Sequence, residues 1–469
     1  MENGEHQAIT IEESDSNIET SVGSTNEIEE SSDNACVILI QRRLEENRRE
    51  GAQSTTERDI SSICRVPENL ARISRRATEP EKVSIGPYHR DKDEVLEFQS
   101  FKWQFLDSLL SRMEQPKSSL RLMTLAMKEL ELKARAQYSE LIQMSSDDFI
   151  EMMLLDGCFI IELFQQVCQS EDSANVNSLV LMKPWLIPIL IRDLLKLENQ
   201  IPLFVLLELF SLSNFNTREP FLWQALKFFN LALPRSLDSF KGQQRVSLYE
   251  DSCHLLHLFY CSYCCPKLQQ APHRPTVYRP EGYRPSSDQS IPCVTRLRHA
   301  GVKFRPLKAG NFLDINFHKG VLGIPPMTIN DFTSTVLINC VACEQCYPRP
   351  NSKCFSEYIA FISCLINSSR DVTFLCEDGI ISNFSYNDNH VANLFNMLGE
   401  HVVFNIRECY LKNEFREVEA YYSSDWATLR RTYFSSPWSI ISVASASALL
   451  LLTALQTFAA YVEPRVLHS

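Results

Sequence analysis

The chain has 469 residues, with 46 Lys and Arg against 58 Asp and Glu, for a formal charge of −12. At about 100–200 residues per domain this length admits one large module or a few smaller ones; the 44% hydrophobic content excludes wholesale disorder, and the acidic balance argues against binding nucleic acid through its phosphates. With 13 glycines, well under the usual roughly 7%, folds built on glycine-rich phosphate loops are disfavoured.

Residues 1–35 hold ten of the carboxylates and no Lys or Arg, leaving −2 for everything after them. The stretch lacks aromatics and cannot bury enough apolar area to offset its chain entropy, so it is expected to be an acidic disordered tail, either a solubilising extension or a partner-binding one. The start has no basic n-region, and the run Val37-Ile38-Leu39-Ile40 is too short for the core of a secretory signal. The chain is therefore expected to begin in the cytosol, with its 16 cysteines as thiols. Two sequons, Asn367-Ser368-Ser369 and Asn383-Phe384-Ser385, would matter only in a lumen.

Residues 36–59 read as a short amphipathic helix, exposing Arg42, Arg43, Arg48 and Arg49, followed by a linker. The main domain is expected over 60–437. Apolar spacing of three and four predicts helices over Asp93–Arg112 and Ser118–Ile142. Ser145 or Ser146 caps the next one, whose Asp147-Asp148 first turn suits the helix dipole. That helix carries Met152, Leu155, Phe159 and Leu163 toward a core, and further helices are expected over Pro184–Lys196, Pro202–Leu212, Glu219–Leu233 and Leu248–Cys264. Pro266–Pro292 contains Pro266, Pro272, Pro275, Pro280, Pro285 and Pro292, a density that forbids helix and marks an exposed insertion or a polyproline docking segment. Val302–Leu307, Phe312–Phe317 and Val321–Ile324 read as strands of a small antiparallel sheet, with turns near Gly310 and His318–Gly320. Asp331 is a fitting N-cap for the helices that resume there.

Trp438–Val462 is 25 residues without Asp, Glu, Lys, Arg or His. As a helix it reaches about 37 Å, against a hydrocarbon core of about 30 Å, with Tyr433, Phe434, Trp438 and Tyr461 placed as interfacial aromatics. A transmembrane helix over 438–462 is expected, followed by a short tail over 463–469. Arg430 and Arg431 before the span, against Arg465 after it, point the large domain to the cytosol. Ser442 and Ala446, and likewise Ala444 and Ala448, share faces of the span, so a homo-oligomer through it is a further expectation.

Several segments are diagnostic as a series. In order they are Ile63-Cys64-Arg65-Val66-Pro67, Lys82-Val83-Ser84-Ile85-Gly86-Pro87-Tyr88-His89, Leu154-Leu155-Asp156-Gly157-Cys158-Phe159, Leu197-Glu198-Asn199-Gln200-Ile201-Pro202, Ala300-Gly301-Val302-Lys303-Phe304, Glu344-Gln345-Cys346-Tyr347 and Tyr433-Phe434-Ser435-Ser436-Pro437-Trp438. The series resembles the plant family catalogued as domain of unknown function 247, from about Cys64 to the C-terminal span. The resemblance implies a plant source, a predominantly helical domain and a C-terminal transmembrane helix, and some grass members are linked to self-incompatibility recognition. The family has no assigned catalytic residues to carry over. Arg90 and Asp91 stand where it tends to place His and Gly, and Gln99 where it usually shows Glu.

The individual residues also have plain readings. Gly86 before Pro87 makes a turn. His89 has no partner spacing that supports a ligand or base and reads as a surface or loop histidine. Asp156 and Glu162, six apart on a helix, lie about 240° apart around it and do not form an acid/base pair. Glu198 and Asn199 are expected to cap the helix after Pro202. Cys340, Cys343, Cys346 and Cys354, and the group Cys261, Cys264 and Cys265, have metal-like spacing, but 340, 343 and 346 also follow the stripe of a helix containing Val336 and Leu337, where free Cys acts as a small apolar residue. The nucleotide-loop, zincin and nucleophile-elbow motifs are absent.

The expectation is an α+β, predominantly α-helical domain with a small antiparallel sheet in its second half and a C-terminal transmembrane helix. No catalytic, cofactor or metal residues are assigned. The functional expectation is a membrane-anchored, non-enzymatic recognition or scaffold protein with protein partners, held to the membrane through its C-terminal helix and binding no nucleic acid. The alternatives are an enzyme with a dispersed site in the helical domain, or a thiol or metal sensor.

Overall fold

A computed structural model of the chain describes residues 40–43, 45, 61–170, 184–213, 219–233, 252–269, 291–346, 353–384, 386–406, 409–433 and 437–466. The acidic stretch 1–35, most of 36–59 and most of the proline-rich stretch lie outside these residues. Met1–Asp59 and Ile60–Ser469 are separate units. In the first, residues 40–43 and 45 are helical and exposed.

The second unit is mostly helical. It opens with two single turns, α1 (Glu68–Ala71) and α2 (Arg75–Thr78), then α3 (Asp93–Leu96) and α4 (Gln99–Ser111). The neighbours α5 (Pro116–Arg135) and α6 (Ser146–Ser170) follow, then α7 (Ile187–Leu194), α8 (Leu203–Leu212), α9 (Phe221–Asn230), α10 (Leu255–Gln269) and α11 (Val294–Ala300). Helix α6 is the axis of this half: α4, α5, α8 and α9 all pack on it, and Met152, Leu155, Phe159 and Leu163 are buried as their spacing predicts. Ser145 caps it, accepting the Asp148 N–H at 3.1 Å. Helix α10 passes Pro266 and ends at Gln269, later than expected; one proline inside a helix costs one backbone bond without ending it.

Strands β1 (Lys303–Pro306), β2 (Asn316–His318), β3 (Val321–Ile324) and β4 (Met327–Ile329) lead into α12 (Asp331–Cys346), α13 (Cys354–Leu365), α14 (Ser369–Glu377), β5 (Ile381–Asn383), α15 (Asp388–Glu400), α16 (Lys412–Tyr422), α17 (Asp425–Tyr433) and α18 (Pro437–Val466). The small sheets thus fall in the second half. The three-stranded sheet has order β1-β3-β2 and is mixed rather than wholly antiparallel: β2 pairs β3 antiparallel, β1 pairs β3 parallel. Lys319 and Gly320 both have positive φ, 49° and 76°, the conformation of a tight two-residue hairpin turn, so β2 and β3 must run antiparallel. β1 sits on the other edge of β3. Before β2 the chain is not a strand, because Asn311 bends it, accepting from Leu313 N and donating to Tyr263 O. A second sheet pairs β4 with β5 in parallel.

Asn330, not Asp331, caps α12: its Oδ1 accepts from Thr333 N while Thr333 Oγ1 accepts from Asn330 N. Asp331 is instead drawn into ion pairs with Arg76 and Arg192 and a hydrogen bond from Tyr386. Among the described residues one unbroken helix, α18, is long and apolar enough to cross a membrane, and none of Ile441–Phe458 is buried.

Candidate functional site

Between the apolar helices α7 and α8 runs Lys196-Leu197-Glu198-Asn199-Gln200-Ile201-Pro202, every residue of it buried. Four of these side chains are polar, and burial is tolerable only if each finds partners. Lys196, Glu198 and Asn199 find them in the segment 79–89, more than a hundred positions earlier, and Gln200 finds them nearer by and on α10. Asp193, at the end of α7, accepts the N–H groups of Glu81, Lys82 and Val83 at 2.9, 2.7 and 3.0 Å. Lys196 donates to Asp193 and to the Glu79 carbonyl; burial holds its ammonium below the ordinary lysine range against the pull of Asp193. Asn199 accepts from Ile85 N at 2.6 Å and donates to Val83 O at 2.9 Å. Gln200 donates to Leu194 O and Lys196 O and accepts from Leu256 N.

From the other side, Asp156 on α6 accepts from Gly86 N at 2.8 Å and from Lys102 on α4, whose ammonium also reaches Ser84 O. Gly86 has φ +74°, and a Cβ there would meet Gln200 O at 2.5 Å, so only glycine lets the turn lie this close to the Gln200 backbone. Asn339 on α12 extends the lattice, accepting from Leu197 N and donating to Ala77 O.

One expectation is corrected here and one is narrowed. Glu198 and Asn199 do not cap α8, whose N-cap is Pro202 without a side-chain bond; the long-range backbone donors Val66 N and Ile85 N claim them. Of the two readings of His89, surface or loop, the loop one holds: it lies in the turn after Pro87 but is 3% exposed, with Nε2 3.0 Å from Glu198 Oε2. Glu198 also accepts from Arg65 at 2.9 Å and Val66 N at 2.8 Å. Burial would raise its pKa, but the contacts from His89 and Arg65 outweigh it and hold the carboxylate below the ordinary range. Arg65 lies over the Tyr88 ring at 4.0 Å and reaches Glu140 as well.

Asp156 and Glu162 do not converge. Glu162 faces α4 at a different level, bound by Arg112, Ser108 and Gln166. The cysteines behave as a helix stripe: Cys340 and Cys343 are buried in α12. The helices also bring Cys264 against Cys354 in the interior beside Glu344 and Tyr260, and burial pushes the Cys264 thiol well up, away from the thiolate a metal needs. No group of three or more His, Cys, Asp or Glu with metal-holding geometry occurs among the described residues. The side chain of Cys265 lies outside them.

The lattice opens to solvent at a cleft of about 320 Å³ lined by Arg65, Glu68, Arg72, Arg75, Glu79 and Glu198, among others. It alternates guanidinium and carboxylate, and most of these are already matched, Arg72 to Glu68, Arg65 to Glu198 and Lys92 to Glu79. Beside Arg65 of this lining stands Cys64, and Cys346 Sγ lies 3.7 Å from the Arg65 carbonyl oxygen, a proximity that sequence reasoning passed over. Cys346 drew notice as part of a metal-like spacing and Cys64 as part of the diagnostic series, but nothing local links residues this far apart.

A family model described as a plant protein of unknown function, DUF247, matches residues 63–452. UPF0481 protein At3g47200 of Arabidopsis thaliana is 32% identical over 419 residues, covering 86% of this chain and 86% of that protein. Putative UPF0481 protein At3g02645 of the same plant is 24% identical over 488 residues, covering 85% and 89%. No solved structure matches.

Proposed function

The chain belongs to the plant DUF247 family, and we propose that it acts as a membrane-anchored, non-enzymatic recognition or scaffold protein whose large domain faces the cytosol. The observation that carries this reading is where the diagnostic side chains go. Asp156, Asn199 and Gln200 are spent on buried bonds inside the fold, whereas α18 presents an apolar stretch, Ile441–Phe458, that nothing buries. Those motifs thus build a rigid body, and the apolar helix is suited to tether it. Eighteen such residues rise about 27 Å, close to the hydrocarbon core. The Arg430 and Arg431 flank supports a cytosolic domain.

Proximity labelling of the intact protein in plant cells, set against a chain ending at Pro437, tests the reading. A partner set on one membrane that disperses without α18 is expected. An intact protein recovered wholly in the soluble fraction, or the same labelled set from both chains, would overturn it.

A further inference from the structure

We propose that Cys64 and Cys346 are a modification site for hydroperoxides, in which Cys64 takes the oxidising equivalent and Cys346 resolves it as a reversible disulfide. The two are 282 residues apart in the sequence. Cys64 lies in the extended segment that enters α1, and Cys346 ends α12. Cys346 Sγ is 3.7 Å from the carbonyl oxygen of Arg65, the residue next to Cys64. Cys64 Sγ lies 3.7 Å from Ser61 O, so both sulfurs lie against the short stretch 61–65.

Both are partly exposed, whereas Cys158, Cys264, Cys340 and Cys354 are buried. Arg65, the residue next to Cys64, lines the cleft, which gives a small peroxide a route toward this stretch. Their chemistry is also divided. The Cys346 thiol, foremost, pulls Cys64 down to about 7 against the effect of burial, with Ser61 and Ser139 adding to the pull. The same contact pushes Cys346 up. Every other described thiol with a resolved shift moves up, as burial dictates for Cys158, Cys340 and Cys364.

The chemistry balances. The Cys64 thiolate attacks one peroxide oxygen; an S–O bond forms, the O–O bond breaks, and hydroxide or alkoxide leaves and takes a proton. Cys346 then attacks the sulfenic sulfur; the S–S bond forms, the S–O bond breaks, and water departs. Two thiols are oxidised and one peroxide is reduced, and a dithiol reductant reverses the bond. The larger thiolate fraction at neutral pH, partly offset by the weaker nucleophilicity of a more acidic thiol, gives Cys64 an advantage of about fivefold over an ordinary exposed cysteine.

Full-length protein in detergent, treated with equimolar hydrogen peroxide and mapped by differential alkylation and mass spectrometry, tests this. A peptide linking Cys64 to Cys346 should form first. Cys346→Ser should stop at a sulfenic acid on Cys64 that dimedone captures, and Cys64→Ser and Cys64→Ala should leave the Cys346 thiol intact. The proposal fails if wild-type Cys64 is consumed no faster than the other thiols. It also fails if Cys346 is oxidised at the same rate in a folded Cys64 variant.

Discussion

Asn199 stands to Ile85 as a neighbouring strand would. Its side-chain amide accepts the Ile85 N–H at 2.6 Å and returns an N–H to the carbonyl of Val83 at 2.9 Å, pairing both polar faces of a backbone stretch that belongs to no sheet. Its second amide hydrogen goes to Asp193 O at 3.0 Å.

That reciprocity makes the amide irreplaceable by its isostere. Asn199→Asp keeps the shape but turns two donors into acceptors facing two carbonyls. It should destabilise the domain by about 3 kcal/mol, more than Asn199→Ala at about 2 kcal/mol. Denaturant unfolding of the two variants against wild type checks the order.

Lys102 and Asp156 form an ion pair whose side chains are 2% and 3% exposed. Lys102→Met should cost about 3–5 kcal/mol by stranding the carboxylate. Adding Asp156→Asn, which keeps an acceptor for Gly86 N, should recover part of that loss. A double-mutant cycle with a coupling under about 0.5 kcal/mol would refute the pair.

Two buried groups should tilt stability with pH in opposite directions. Glu344 accepts from Tyr260, Phe355 N and Ser356 N, yet burial pushes it up to about 7 from 4.5. The native state therefore binds more protons than the unfolded chain in that window, and the Glu344 contribution falls as pH rises through it. His254 accepts from His257 N at Nδ1 and faces Ser62 O with Nε2. Burial, then the charge of His257, lowers it from 6.5 to about 3, so its contribution is present above 6.5 and lost as pH falls. Between about pH 4.5 and 6.5 the two slopes oppose each other. Glu344→Gln should leave stability rising more steeply with pH than wild type, and His254→Gln should leave it rising less or falling. Urea midpoints at pH 5 and 7 separate the cases.

Ala444 and Ala448 offer a small-residue face on α18. If the anchor self-associates, Ala444→Leu with Ala448→Leu should reduce the signal of a membrane two-hybrid assay several-fold while leaving insertion intact, since small faces permit close backbone approach. An unchanged signal would remove the packing idea.

If the domain faces the cytosol, as proposed, Asn367 and Asn383 should carry no glycan. Asn383 already donates to Asp388 at 2.7 Å. An endoglycosidase-sensitive mass shift lost in Asn367→Gln plus Asn383→Gln would place the domain in a lumen.

What was legible in the sequence was periodic or local. Met152, Leu155, Phe159 and Leu163 announced the buried face of α6, the Ser145 cap sat beside its helix, and the turn at Lys319-Gly320 needed only its own residues. What escaped was polar and distant. Glu198 and Asn199 looked like caps because the nearest free N–H groups were those of α8, yet they bind Val66 and Ile85. Asp331 looked like a cap for the same reason. One signal was available: Lys196, Glu198, Asn199 and Gln200 are wedged between two leucine-rich helices, and so many polar side chains there must be satisfied by something remote.

The lattice around residues 79–89 also sets a timetable for synthesis. Val83 emerges 110 residues before Asp193, and Ala77 emerges 262 residues before Asn339. At roughly 5–20 residues per second, the amides of the first segment wait about 5–20 s for their carboxylate, and Ala77 about 13–50 s for its amide. Until those partners emerge, the amides of Glu81, Lys82 and Val83 and the Ala77 carbonyl have water as their partner, so the lattice closes only after α12 has been made.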